Sequence, residues 1–264
     1  MDNKITKKRI TRHLEYDWYK YLLIIVLSIA LCSYGFYMLN RTRDYERLDV
    51  FISCYRSNDS TIPNSFYDTI KSEGDDWMRE INVSIGNYAG SSYHSEFEAG
   101  TTGDIIIMPK AYMDGQGWDY LELTPEILDC IFTPLSGETD NYDFTAFRNN
   151  PDNFYYYEYN EEEGRKMVFA DGKCYGIRVD NLVKMQAKNA PFIFDYNKIE
   201  NEGNNGEDTS GGDVVESEKE YDTEFYLVYC KKSIKLGSYG SNSNYHNLHQ
   251  AFRFTRYFIS RYDQ

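Results

Sequence analysis

Along this chain the spacing of apolar positions changes character near residue 45. From Tyr21 to Leu39, nineteen consecutive residues (YLLIIVLSIALCSYGFYML) carry no charge and leave no polar face. A helix of that length rises about 28 Å, close to the hydrocarbon thickness of a bilayer. Trp18, Tyr19 and Tyr21 at one end, and Tyr34 and Tyr37 near the other, sit where interfacial aromatics belong. The pattern predicts a transmembrane helix over 19–40 behind a basic tail over 1–18. A cleaved signal peptide is the main rival, but the apolar run is longer than a usual signal core and no A-x-A site follows it. A lipidated Cys32 is disfavoured by its place in mid-span and by the bulky Leu31 before it.

Beyond residue 45 the apolar runs are short and alternate in type. Leu48–Tyr55 (LDVFISCY) reads as a buried strand. Ser60-Thr61-Ile62-Pro63 is a helix start, with Phe66 and Ile70 at helical spacing after it. Ile81–Ile85 predicts a second strand, Tyr93–Ala99 a short helix, and Ile105–Met108 a third strand that follows Gly103-Asp104 and stops at Pro109. Strand, helix, strand, helix, strand implies a parallel sheet with helices on its faces. Asp114–Gly117 (DGQG) reads as a turn, and a helix starts at Thr124 with Pro125 in its first turn. Residues 136–164 are polar and aromatic without a clear period. Val168–Ile177 predicts a hairpin turning at Asp171-Gly172, a type I′ pair. Phe225–Cys230 is a further strand. Asn247–Tyr262 puts Leu248, Ala251, Phe252, Thr255, Phe258 and Ile259 on one helical face. The expected fold class is α/β: a parallel or mixed sheet flanked by helices over 45–264, preceded by a single transmembrane helix.

Charge divides the chain at the same place. The net charge is −14, yet residues 1–47 carry +4 and residues 48–264 carry −18. An acidic domain of this kind is no nucleic-acid binder, because phosphate recognition needs clustered positive charge. Six Lys and Arg in the first twenty residues predict a cytoplasmic N-terminus and an extracellular domain from residue 45 onward. Ten acidic residues against one Lys over 199–224, with Gly-Asn-Asn-Gly and Ser-Gly-Gly, predict a flexible acidic loop. Cys54, Cys130, Cys174 and Cys230 have wide, irregular spacing. It suits small buried hydrophobes, although it also permits up to two disulfides. Three sequons, at Asn40, Asn58 and Asn82, matter only in a eukaryote.

Catalytic chemistry finds little support. The chain has four histidines, His13, His94, His246 and His249; the i, i+3 pair His246 and His249 has no ligand partner at metal spacing. Neither G-x-S-x-G nor a P-loop is present. Asp208–Asp213 is acidic and glycine-rich but lacks the EF-hand order. The reading is a non-enzyme without metal or cofactor.

Five stretches together resemble the first lobe of extracytoplasmic solute-binding proteins of ABC importers, the sugar-binding type in particular. They are LDVFIS (48–53), EFEAGTTGDIIIMP (96–109), DYLELTP (119–125), DGKCYGIRVD (171–180) and FYLVYCKKSIKLG (225–237), followed by the aromatic C-terminal helix. The interval between the fourth and fifth stretches, where that family places most of its second lobe, is short and acidic here. The resemblance therefore implies a membrane-anchored member with a reduced second lobe. It implies a small solute such as a carbohydrate as ligand, ABC permease subunits as partners, and a bilayer held through residues 19–40. The alternative is an accessory or scaffold subunit that binds no ligand and docks on a transporter or envelope partner. Open parallel sheets bind ligands beyond the carboxyl ends of their strands. The candidate contacts are then Tyr55 and Arg56, Asn87 and Tyr88, Lys110 and Tyr112, and Arg178 and Asp180. Aromatic faces stack on sugar C–H surfaces, and Arg, Asn and Asp hydrogen-bond hydroxyl groups.

Overall fold

A computed structural model describes residues 7–42, 46–72, 78–86, 103–115, 120–134, 142–160, 164–168, 171–195, 224–231 and 245–264. The chain forms two compact units, Met1–Arg43 and Asp44–Gln264. The first is one helix, α1 (Lys7–Asn40), 34 residues long. Within it Glu15–Asn40 is long and apolar enough to span a membrane. From Leu22 to Leu39 its Leu, Ile and Val side chains are exposed, so no protein core accounts for their apolarity.

The second unit is a mixed α/β domain. Its strands are β1 (Arg47–Ser53), β2 (Arg56–Ser57), β3 (Glu80–Gly86), β4 (Ile105–Pro109), β5 (Phe154–Asn160), β6 (Gly164–Met167), β7 (Lys173–Arg178), β8 (Phe192–Ile193) and β9 (Phe225–Tyr229). Seven of them form one sheet in the order β3-β1-β4-β9-β7-β5-β6, and β2 pairs with β8 in a separate ribbon. β1 runs parallel to β3 and to β4. β9 is antiparallel to both of its neighbours, β4 and β7. β1, β3, β4 and β7 therefore all point the same way, and their carboxyl ends share one edge. β4 and β9 are buried at every position, which is why their sequences IIIMP and FYLVY show no alternation.

The helices are α2 (Ile62–Ser72), α3 (Lys110–Gly115), α4 (Pro125–Phe132), α5 (Phe144–Asn149) and α6 (Tyr245–Tyr262). Phe66 and Ile70 of α2, Ile127 and Ile131 of α4, and Phe252, Phe258 and Ile259 of α6 pack on the sheet face formed by Leu48, Val50, Ile52, Ile105, Ile107 and Leu227. The face of α6 expected from the sequence is buried along its length. The Thr124 side chain caps α4 by accepting from the Ile127 N–H, and Pro125 occupies the first turn. At the other end of α4 the fully buried Arg256 donates to the carbonyls of Cys130 (3.2 Å) and Ile131 (2.6 Å), which the helix itself leaves unpaired. The opposite sheet face is aromatic: Phe51, Met108, Met113, Tyr155, Tyr157 and Tyr226 form a second cluster.

Several expectations change. Asp171-Gly172 does not close a hairpin, because β6 and β7 lie on opposite sides of β5. Met167 and Lys173 both register with Tyr157, so the short connection crosses the end of that strand. A Cβ on Gly172 would lie 2.6 Å from the Tyr157 carbonyl oxygen. Glycine is needed there for close approach, not for a left-handed turn; among the described residues only Gly103 is a glycine at positive φ, 83°. Asp114 and Gly115 end α3, and the rest of the turn expected over Asp114–Gly117 lies outside the described residues. β5 and α5 occupy a stretch in which the sequence shows no period. All five cysteines are free thiols, with Cys54, Cys174 and Cys230 buried as small hydrophobes. The predicted helix at 93–99, Trp118 and the acidic stretch up to residue 223 lie outside the described residues.

Candidate functional site

The carboxyl edge of the sheet gathers three of the predicted contacts into one ionic cluster. Lys110 follows β4, Arg178 ends β7, and Asp180 lies two residues beyond it. Glu224, immediately before β9, joins them. Arg178 donates to Asp180 through Nε (3.1 Å) and Nη2 (3.0 Å), and to Glu224 Oε1 through Nη1 (2.8 Å). Lys110 Nζ lies 3.3 Å from Glu224 Oε2, which also accepts from the Tyr226 hydroxyl at 2.8 Å. Asp180 Oδ1 accepts the Phe225 backbone N–H at 2.8 Å, and the Lys110 N–H donates to the Glu224 carbonyl at 2.9 Å.

The cluster is self-consistent in charge: two cations face two carboxylates. Burial works against the Arg178 charge, but the hydrogen bonds and charge of Asp180 outweigh it and lift the guanidinium above its ordinary pKa. Burial, followed by the Glu224 charge, pushes the Tyr226 phenol far above its usual range. Tyr226 is buried, but the four charged groups remain partly exposed at the edge, with Arg178 at 24% and Glu224 at 20%. Water or a hydroxyl-bearing ligand can therefore reach them, while their first commitment is to pin β4, β7 and β9 together. Tyr112, on α3, is half-buried between the two sheet-face clusters and contributes packing.

Tyr55 and Arg56 sit farther along the same edge, just beyond β1, with both side chains exposed. The short ribbon fixes their backbone. The Tyr55 N–H donates to the Ile193 carbonyl at 2.9 Å, and Arg56 registers with Ile193. They do not join the ionic cluster; Phe194, whose ring lies 4.8 Å from that of Phe225, connects the ribbon to the start of β9. Asn87 and Tyr88 lie outside the described residues.

Two groups of polar residues were not anticipated. Glu224 and Tyr226 complete the cluster; the only sequence cue was an acidic residue directly against the FYLVYC run. The second group lines a cavity of about 460 Å³ on the sheet face near β3. There the Asp49 carboxylate accepts from Arg47 (2.7 Å) and Asn82 (3.0 Å), and the Asp49 N–H donates to Asp104 Oδ2 at 2.8 Å. The Asp104 N–H returns to the Asp49 carbonyl at 2.7 Å, with Gly103 supplying the turn. Asp104 is fully buried, and this exchange locks the start of β4 to β1. The Gly103-Asp104 pair was the legible signal for it. Among the described residues no group of His, Cys, Asp and Glu is placed to hold a metal ion.

Comparison of the chain with protein-family profiles, with curated proteins and with solved structures returns no match.

Proposed function

We propose that this chain is a membrane-anchored, extracytoplasmic solute-binding-like protein that presents a small ligand, such as a carbohydrate, to an ABC permease. The observation that carries the reading is an adjacency. The four strand-forming stretches that resemble the first lobe, LDVFIS, DIIIMP, DGKCYGIR and FYLVY, become β1, β4, β7 and β9, the consecutive sheet neighbours β1-β4-β9-β7. The sheet's carboxyl edge carries Tyr55, Arg56, Lys110, Arg178 and Asp180, donors, acceptors and an aromatic ring suited to a polyol. In this reading α1 spans the bilayer with its basic end in the cytoplasm, and Asp44–Gln264 lies outside.

One observation favours the accessory reading. Asp44–Gln264 forms a single compact unit, and a lone lobe buries less of a ligand than two closing lobes do. In that reading the same edge docks on a transporter or envelope protein. Thermal unfolding of the purified chain with a panel of mono- and oligosaccharides separates the two. A ligand at a hundred times its Kd adds roughly 2.7 kcal/mol, enough to move Tm by several degrees. A saturable shift that Arg178→Ala weakens supports solute presentation. A folded domain that responds to no sugar, and that co-purifies with a permease through this edge, supports the accessory reading.

A further inference from the structure

The two outer strands of the sheet are finished differently. β6 is four residues long and exposes Lys166, and a short strand that carries lysine discourages pairing with another chain. β3 is seven residues long (EINVSIG), with no proline and no basic residue. Glu80, at its first position, is its one charge, although residues 48–264 carry −18. Ile85, near its end, is 39% exposed.

The backbone of β3 is paired on one side. The Gly86 carbonyl accepts from the Cys54 N–H at 3.3 Å. Backbone groups alternate in direction along a strand, so Glu80, Asn82, Ser84 and Gly86 turn theirs to β1, while Ile81, Val83 and Ile85 turn theirs outward. Among the described residues nothing pairs with that outward row. Its N–H and C=O groups are an open template for one more strand.

The order of residues in β3 says which strand fits. Antiparallel pairing with a second β3, about a two-fold axis at Val83, sets Val83 against Val83, Ile81 against Ile85 and Asn82 against Ser84. Apolar residues then meet on the sheet face where Ile81 and Val83 already pack on the core, and polar residues meet on the other face. Glu80 falls opposite Gly86, so two acidic domains approach here without opposing like charges. The pairs through Ile81, Val83 and Ile85 are the ones that exchange hydrogen bonds, since those residues turn their backbone groups outward. A slip of one residue would set apolar against polar side chains at every position.

We propose that β3 is a homodimer interface, in which two copies of this chain join edge to edge into one continuous sheet. The contact is the same patch on both copies, so it closes at two. Copies held in one bilayer by α1 meet at a raised effective concentration. The inference does not depend on the transport reading.

The test is sedimentation velocity of the full chain in detergent micelles, with amide exchange measured on the same samples. A dimer is expected, with the Ile81, Val83 and Ile85 amides exchanging slowly. Ile85→Lys is expected to raise the dimer Kd at least about tenfold and to leave Tm unmoved, because Ile85 is exposed. Val83→Pro, which removes the N–H at the axis and spares the bonds to β1, is the second variant. A wild-type chain that is monomeric at every concentration overturns the proposal and leaves the edge to a strand of another protein. A dimer that both variants leave intact also overturns it and moves the association elsewhere, α1 included. So does a dimer in which those three amides exchange as fast as in the monomer.

Discussion

Arg178 and Glu224, forty-six positions apart, meet at 2.8 Å and tie the end of β7 to the start of β9. The contact places a carboxylate from the flank of the acidic stretch against a guanidinium that the sequence marked as a ligand contact. Glu224→Ala removes one carboxylate from Arg178 and the Glu224 contact from Lys110. The expected loss is about 2 kcal/mol, because partly buried cations lose charge-assisted hydrogen bonds. Chemical denaturation of the variant measures it. Glu224→Gln, which still accepts from the Tyr226 hydroxyl, should lose less; an equal loss in both would show that charge alone matters there.

Acid sensitivity should trace to Asp59. Burial alone would raise its pKa, but hydrogen bonds from Thr61, Tyr262 and Arg261 prevail and hold it down at about 2. The folded value lies below the ordinary carboxylate value, so Asp59 stabilises the domain above about pH 4, and that contribution fades as pH falls toward 2. Its size is on the order of 1–2 kcal/mol. Asp59→Asn should lower stability at neutral pH and flatten the unfolding-versus-pH curve below pH 4. An unchanged acid slope would assign the effect elsewhere.

The cysteines should differ sharply in reactivity. Burial pushes the Cys54 and Cys174 thiols up to about 12, which removes the nucleophilic thiolate at neutral pH. Cys130 is exposed on α4. A membrane-impermeant maleimide on intact cells should label Cys130 alone in the folded domain, and Cys54 and Cys174 only after denaturation. Labelling that requires permeabilised cells would reverse the proposed orientation of the chain.

Gly172→Ala should destabilise the domain by about 1–3 kcal/mol. The new Cβ would meet Val168 Cγ2 at 2.5 Å and the Tyr157 carbonyl oxygen at 2.6 Å, and one of those is backbone. Gly35 provides the contrast: nothing lies within 4 Å of a Cβ there, so Gly35→Ala should leave the domain's unfolding transition unmoved.

Arg256→Met should shorten or fray α4. Arg256 Nη1 satisfies the carbonyls of Cys130 and Ile131 inside the core, and a thioether cannot. A loss of about 2–3 kcal/mol is expected in thermal unfolding. Faster amide exchange confined to α4 would locate the loss at the helix end.

What the sequence determined by itself was local. An uncharged run of bilayer length specifies α1, because every turn of a helix there is apolar. Thr124-Pro125 specifies the start of α4 through one side-chain acceptor and one fixed φ. The spacing from Leu248 to Ile259 specifies the buried face of α6, unbroken apolar runs specify β4 and β9, and a run interrupted by Asp49 specifies β1. The tertiary structure decided which of these meet. β5 escaped notice because Tyr155, Tyr156 and Tyr157 put aromatic rings on both sheet faces, with a bulge between the first two, and so erase the period of two. Its insertion between β6 and β7 turned an expected hairpin into a crossing, since pairing partners are chosen by packing across the whole sheet. The meeting of Lys110, Arg178, Asp180 and Glu224 likewise depends on β9 entering antiparallel between β4 and β7. No local pattern encodes that entry, because the free energy that selects it comes from contacts spread over more than a hundred residues of chain.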